Sequence, residues 1–567
     1  MDSFAQRQRW LWTSFFAFAL LCLARLFMWQ IIKGPELKLL AWQQGHQAVV
    51  ETSARGKIYS ADEYPLVSNQ RKFSLTFYRP NFQETAEQII AKLESIFPGF
   101  REKQPEAFVS FWQNPAKKWL EPDLLLSPDQ AASLSAFKIS GVNLVKKEIR
   151  FYPEASMAAQ LLGFVGKNDQ GENKGYFGLE GFYQTQLAGK ANILWQEQNS
   201  RGQSLLSGNR WESQGFSGLN LHLFLDRTAQ FLTEEALLDG LDRFQADSAS
   251  AIIMNPKTGA ILAMASFPSF DPSLPKEASP ASLMNPAISS LFEPGSIFKP
   301  LVMAMAFDEK VLNPEDHCPV CDRPYQVGDD QINNWNQEFH PNASMQEIIT
   351  YSDNIGMSYI INQLGLEKFK TYYQALGFGQ KTNIDLQGEV VGLNASQRTW
   401  YPIDLTTASF GQGIAVTQIQ MVQAFAALAN NGRLPHPQVV NYLESNQKKF
   451  PPEQLAQKQI FKPETTEEMS KILSKAVKDG SVGRLAPPGF EIAAKSGTAQ
   501  IAIRGHYDES QGIASYIGFA PVSSPAFVML VTYKNPKTSP WGAGTAAPTW
   551  FALSEKLFFL WGIQPEK

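Results

Sequence analysis

The sequence predicts an α/β sandwich: one sheet built from strands on both sides of a long helical section, reached through a mixed α+β segment and one N-terminal membrane-spanning helix. Three observations predict it. Residues 218–265 read as strand, helix and hairpin, residues 296–430 as mostly helical, and residues 492–533 as strands again. One sheet must then be completed by distant parts of the chain. Trp10 to Ile32 is almost wholly apolar and aromatic, a length that suits a single span of roughly 20 residues. With 44% hydrophobic and 18% charged residues, the 567-residue chain has room for two or three domains with large cores. A net charge of -4 leaves no basic footprint for nucleic acid, and no Walker-type glycine loop is present.

Taken in order, residues 1–9 form a tail, 10–32 the anchor, 33–215 a pedestal-like N-terminal domain, and 216–567 the second domain. A cleaved secretory signal needs a shorter apolar core and a small-x-small exit, which Leu23-Ala24-Arg25 does not supply; Leu21 before Cys22 is too bulky for lipid attachment. The reading is an uncleaved single-pass anchor in the inner or plasma membrane, with Arg25 close enough to its far end to snorkel. Arg7 and Arg9 put the N-terminus in the cytoplasm and the body beyond the membrane, although Lys33 and Lys38 make the asymmetry modest.

In the pedestal, Gln83 to Phe97 reads as a helix, and Ile149 to Pro153 and Leu161 to Gly166 as strands. The second domain opens on the alternating strand Gly218 to Asp226, followed by a helix from Thr228 to Phe244. Ala251 to Met254 and Ala260 to Ala265 flank Asn255-Pro256-Lys257-Thr258-Gly259 as a hairpin. Ile492 to Gln500, Ala514 to Phe519 and Ala526 to Tyr533 supply the later strands, and Thr549 to Trp561 a closing helix.

Of the three cysteines, Cys22 lies in the anchor and Cys318 and Cys321 form a Cys-x-x-Cys pair. Outside the cytoplasm a local disulfide, incidental thiols, and a metal site completed by His317 or His340 all remain open.

Chemistry centres on Glu293-Pro294-Gly295-Ser296-Ile297-Phe298-Lys299-Pro300 and the apolar run Leu301 to Phe307. A Pro-Gly turn breaking into a helix puts Ser296 and Lys299 on one face of its first turn. A serine hydroxyl needs a base to become a nucleophile, and a lysine serves as one only if burial or a second cation disfavours its charge. Pro300 is tolerable only near the helix start. The bare pattern is weak, since Ser-x-x-Lys recurs at Ser135/Lys138, Ser273/Lys276 and Ser445/Lys448.

Two further stretches give it context, Ser352-Asp353-Asn354 and Lys495-Ser496-Gly497-Thr498. Acyl transfer needs a nucleophile, a proton acceptor, a proton path and oxyanion donors. Ser296 is the candidate nucleophile and Lys299 its base; Ser352 can relay a proton, and the Asn354 amide can hold the lysine or a substrate amide. Lys495 helps keep Lys299 neutral and attracts a substrate carboxylate, which the Ser496 and Thr498 hydroxyls can bind. Gly497 lets the backbone approach, and the N–H groups of Ser296 and Thr498 are the oxyanion donors. Ser135, Ser207-Gly208-Asn209 and Lys257-Thr258-Gly259 form a second set in the same order. Only the later set places its serine at a helix start and its lysine at the end of a strand.

With these three motifs, which also occur together in β-lactamases, the sequence resembles the class B high-molecular-mass penicillin-binding proteins. Arg55-Gly56-Lys57-Ile58-Tyr59, Gly178-Leu179-Glu180 with Gly175 before it, Asn255 to Ser266, Phe410 to Thr417 and Gly542 to Pro548 are similar to other family segments. The likeness is strong from about Gly218 onward. It departs after Tyr59, where the family has Asp-Arg-x-Gly and this chain Ser60-Ala61-Asp62-Glu63, and at Ser496, where threonine is commoner.

The resemblance implies a penicillin-binding transpeptidase domain at 216–567 on a dimerisation-like pedestal, with no cofactor and no metal. It implies a peptidoglycan D,D-transpeptidase acting on stem peptides ending in D-Ala-D-Ala and inhibited by β-lactams. A polytopic glycan polymerase and other divisome or elongasome proteins are the implied partners; Ala408 to Gly413 is somewhat closer to division-type members. The rivals are a D,D-carboxypeptidase or β-lactamase-like hydrolase on the same fold, and a catalytically silent scaffold of cell-wall synthesis.

Overall fold

The structure, a computed structural model, describes every residue except 1, 52, 103–105, 123, 198–209, 395–398, 454, 504–505 and 567. It forms two compact units, Met1–Arg55 with Ala188–Gly218, and Gly56–Leu187 with Leu219–Lys567.

In the first unit, Ser3–Ile32 is long and apolar enough to cross a membrane and buries none of its apolar window. Its last turn carries Trp29, whose ring lies 5.6 Å from the Arg25 guanidinium and 5.3 Å from the Lys33 amine. Such basic and aromatic groups favour a membrane interface. After the helix Gly34–Gly45, strand Asn192–Glu197 pairs antiparallel with both His46–Glu51 and Arg210–Ser213.

The second unit contains the sandwich. Its sheet comprises β1 (Ser248–Met254), β2 (Ile261–Phe267), β3 (Ala493–Ile503), β4 (His506–Ala520) and β5 (Phe527–Lys534), in the order β2-β1-β5-β4-β3 and antiparallel throughout. Side chains alternate between faces along a strand. Ala251 and Ile253 therefore pack on one face, under α1 (Arg227–Phe244) and the closing helix. Ile252 and Met254 pack on the other, against α4 (Gln418–Ala429), in a core that also takes in α2 (Lys299–Asp308) and α3 (Asn354–Leu364). Every residue of α2 is buried, as expected of a helix that is apolar nearly all round. The closing helix, α5, begins at Ala546, earlier than its apolar pattern alone indicates.

A second sheet ties early sequence to late. Strand Ile58–Tyr59 pairs in parallel with Asn220–Leu223, which pairs antiparallel with Val440–Ser445. Backbone pairing thus crosses residue 216. The rest of the early segment is built on the long strand Pro65–Tyr78 and its partner Val142–Phe151. It has its own aromatic core around Phe77, Phe108 and Phe111 and a helix, Ala86–Ile96, started by a Thr85/Gln88 capping box. A buried Arg150–Glu180 pair at 2.6 Å joins that strand to the Gly178-Leu179-Glu180 element.

Leu161 to Gly166 is not one strand. Ala159–Leu162 is a short helix and only Phe164–Lys167 is extended. Gly163 separates them at φ 76°, and a Cβ there would lie 2.3 Å from the Phe177 carbonyl. A short apolar run does not report its own period.

The two Ser-x-x-Lys and Lys-Thr-Gly decoys fall elsewhere. Ser135 lies in the last turn of the helix Pro128–Ala136. Lys257 and Thr258 occupy the β1–β2 turn, both donating backbone N–H groups to Asn255 Oδ1. Ser207 and Asn209 lie outside the described residues.

Candidate active site

The geometry starts at Gly295, whose φ of 58° suits glycine. Gly295–Phe298 forms a single 3-10 turn, closed by the Lys299 N–H donating to the Ser296 carbonyl. Residues three apart eclipse in such a turn, so Ser296 and Lys299 share a face. The α-helix proper starts at Lys299, not before Ser296. Pro300 accordingly falls in its first turn, where a missing N–H costs nothing.

The serine turn is clamped from one side by the Phe410 to Thr417 segment. Gly295 N–H donates to Gly411 O at 3.0 Å, Phe292 and Val416 exchange two backbone bonds of 2.9 and 3.0 Å, and Gly413 N–H donates to Glu293 Oε1 at 3.0 Å. A Cβ on Gly411 would sit 2.2 Å from Gly295 O. The close approach requires glycine.

Opposite lies the loop that opens α3. Ser352 adopts a left-handed φ of 57°, and Asp353 caps the helix by accepting from Gly356 N–H at 2.7 Å. The Lys299 amine donates to Ser352 O at 2.6 Å and to Asn354 Oδ1 at 2.7 Å, and lies 3.2 Å from Ser352 Oγ. Two motifs 53 to 55 residues apart thereby converge on one nitrogen.

The third wall is β3. A Cβ on Gly497 would lie 2.8 Å from Ile297 Cγ2, 3.2 Å from Pro294 O and 2.7 Å from Ser515 Oγ, so this strand runs directly against the serine turn. Lys495 is 5% exposed, and its amine donates to Ser496 O at 3.0 Å. Ser496 and Thr498 are half-buried, and Thr498 Oγ1 accepts from Gly542 N–H at 3.2 Å. Gly497→Ala must displace Ile297 and with it the Ser296 turn. A shift on the order of 1 Å costs roughly 10²-fold in rate. The expected result is an acylation rate of Ser296 lower by about that factor in a rapid-mixing assay, with no change in pH dependence.

Electrostatics favour a neutral amine at Lys299. Burial, and then the charge of Lys495, push its pKa well below the usual lysine range; Asp353 pulls the other way and is outweighed. Burial alone lowers Lys495 to about 8. The arrangement can accept a proton beside a serine hydroxyl and still present a cation to a carboxylate.

The motifs do not announce every residue that builds this site. Asn334 Oδ1 accepts the backbone N–H groups of Asn354 and Ile355 at 2.7 and 3.3 Å. Glu293 and Gly411 hold the serine turn. Glu293 adjoins the motif and Gly411 lies in a segment flagged by resemblance, whereas nothing in sequence marks Asn334.

The Penicillin binding protein transpeptidase domain model matches residues 249–554, and the Penicillin-binding Protein dimerisation domain model matches residues 50–223. Stage V sporulation protein D of Bacillus subtilis is 29% identical over 96% of this chain and 84% of its own length. Two proteins named "Probable peptidoglycan D,D-transpeptidase" are also similar. PenA of Neisseria gonorrhoeae is 27% identical over 97% of this chain and 93% of its own, and PbpC of Pseudomonas aeruginosa 30% identical over 77% and 75%. Among solved structures, penicillin binding protein 2X from Streptococcus thermophilus shares the fold with a TM-score of 0.75 at 22% identity, covering 91% of this chain and 80% of that one. A transpeptidase-domain match over more than half the chain, preceded by the dimerisation-domain match, places this protein in the penicillin-binding protein transpeptidase family.

Proposed function

We propose that this chain is a peptidoglycan D,D-transpeptidase that cross-links stem peptides through a serine acyl-enzyme and is acylated by β-lactams. The observation that carries this reading is the convergence of the Ser296 turn, the Ser352–Asn354 loop and β3 around a buried, neutral-leaning Lys299. Ser296 Oγ attacks the penultimate D-Ala carbonyl of a donor stem and gives its proton to Lys299. Two N–H groups, of Ser296 and Thr498, face the oxyanion. As the C–N bond breaks, the proton passes through Ser352 to the leaving nitrogen, and terminal D-Ala departs. An amine on a neighbouring stem then attacks the ester, its proton returns through the same groups to Ser296 Oγ, and a peptide cross-link is left.

Lys495 with the Ser496 and Thr498 hydroxyls receives the donor carboxylate, and Asn354 holds Lys299 or a substrate amide. Residues 10–32 anchor the chain with the tail 1–9 in the cytoplasm, residues 33–215 act as the pedestal and 216–567 as the transpeptidase domain. The apolar helix and the basic residues before it support that orientation. A polytopic glycan polymerase is the partner this arrangement suits.

Mass spectrometry of the full chain after penicillin treatment tests the reading. The expected adduct is one intact, ring-opened penicillin on the peptide containing Ser296. With a stem-peptide donor and an amine acceptor the expected product is the cross-linked peptide. An adduct elsewhere overturns the site, and release of hydrolysed donor alone overturns the transpeptidase in favour of a hydrolase.

A further inference from the structure

Asp353 takes no part in the acyl transfer above, yet its side chain is 0% exposed and sits between two residues that bind Lys299. A buried carboxylate is costly unless its oxygens are bonded. Oδ1 caps α3 through Gly356 N–H. Oδ2 accepts from Asn334 Nδ2 at 2.9 Å and meets His340 Nδ1 at 2.7 Å. An ionised carboxylate only accepts, so the hydrogen in that second bond belongs to His340.

His340 is itself held in place. Its backbone N–H donates to Cys321 O at 2.9 Å, beside the Cys318–Cys321 disulfide. Its ring stacks on Tyr351, centroids 4.4 Å apart and planes 14° from parallel. Tyr351 immediately precedes Ser352, so the imidazole braces the motif at Tyr351 and at Asp353.

We infer that His340 is a positioning residue for Lys299: by donating to Asp353 Oδ2 it fixes the left-handed Ser352 turn and draws the Asp353 charge away from the lysine amine. This rests on the reading of Lys299 as the base. Lys299 faces two charged groups of opposite sign, Lys495 and Asp353, and only Asp353 favours its protonated form. His340 in turn faces Asp353 and Tyr351, with Glu347 and His317 nearby. Removing its N–H leaves the carboxylate with one donor fewer on Oδ2 and a stronger hold on the lysine proton.

The test is the rate of acylation of the full-length protein by a fluorescent penicillin, followed across the pH range in which Lys299 titrates. Below its pKa Lys299 carries the proton, cannot accept another, and the rate falls. His340→Ala is expected to move this acid limb to higher pH by about half to one pH unit. His340→Asn, which keeps an N–H donor, is expected to move it back toward wild type, and Asp353→Asn to move it to lower pH. A His340→Ala profile that drops in height without moving shows a merely structural role and overturns the inference. If that variant does not fold, an Asp353→Asn limb that stays put or moves upward overturns it instead. A limb that persists in Lys299→Met overturns the base assignment and this inference together; one that vanishes there but ignores His340 overturns this inference alone.

Discussion

Ser296→Ala removes covalent labelling by a fluorescent penicillin down to background, whereas Ser135→Ala leaves it unchanged. The loss is complete because no ester can form at a methyl group, while the oxyanion donors and carboxylate-binding groups can still hold the drug without covalent capture. The closest competitor is Ser352, whose Oγ lies 3.2 Å from the same lysine amine. It is bound to the wrong element for attack: its left-handed backbone and its place between Tyr351 and the capping Asp353 fix it in the loop, whereas the Ser296 turn is the one against which Gly497 of β3 packs at Ile297. Gel fluorescence on membranes carrying each variant checks the result. Labelling that survives in Ser296→Ala, with the adduct mapped to Ser352, sinks the assignment of the nucleophile.

How much of this was legible in sequence depends on the range of the contacts involved. The run Leu301 to Phe307 announced a buried helix because no polar face interrupts it, and that helix is buried throughout. The five-stranded sheet was legible because its strands are short, nearly continuous apolar runs, buried on both faces and bounded by turn chemistry, as at Asn255 to Gly259. Strand Ile58–Tyr59 has two residues, too few to show a period, so its pairing with Asn220–Leu223 across the expected domain boundary could not be read. Leu161 to Gly166 failed for the same reason.

In the site, Ser-x-x-Lys occurs several times, and only the helix after it and the partner motifs distinguish Ser296. The supports were out of sight. Asn334 and His340 act across 20 and 13 residues through side chains that carry no local signal, and the segment holding Gly411 was visible as a resemblance but not as a clamp on Gly295 more than a hundred residues away. Cys-x-x-Cys left three readings open, and the structure pairs Cys318 with Cys321.

Lys299→Met is expected to lower the acylation rate by about 10³-fold and to abolish its acid limb. Methionine is close to the lysine stem in length and apolar, so a site in which the whole side chain is buried loses the amine with little change of packing. The sign follows from the environment. Burial and the Lys495 charge both disfavour the ammonium, Asp353 favours it, and the balance lowers the pKa. Wild type therefore loses rate below that pKa, whereas Lys299→Met should show a low rate with no such fall. The rival base is Lys495, whose amine burial lowers to about 8. Its placement argues against it, because its amine donates to Ser496 O on its own strand, while Lys299 eclipses Ser296 within one turn and binds Ser352 and Asn354. Stopped-flow acylation across pH decides between them: a residual rate in Lys299→Met that keeps the wild-type acid limb assigns the proton to Lys495 and leaves Lys299 as a structural cation.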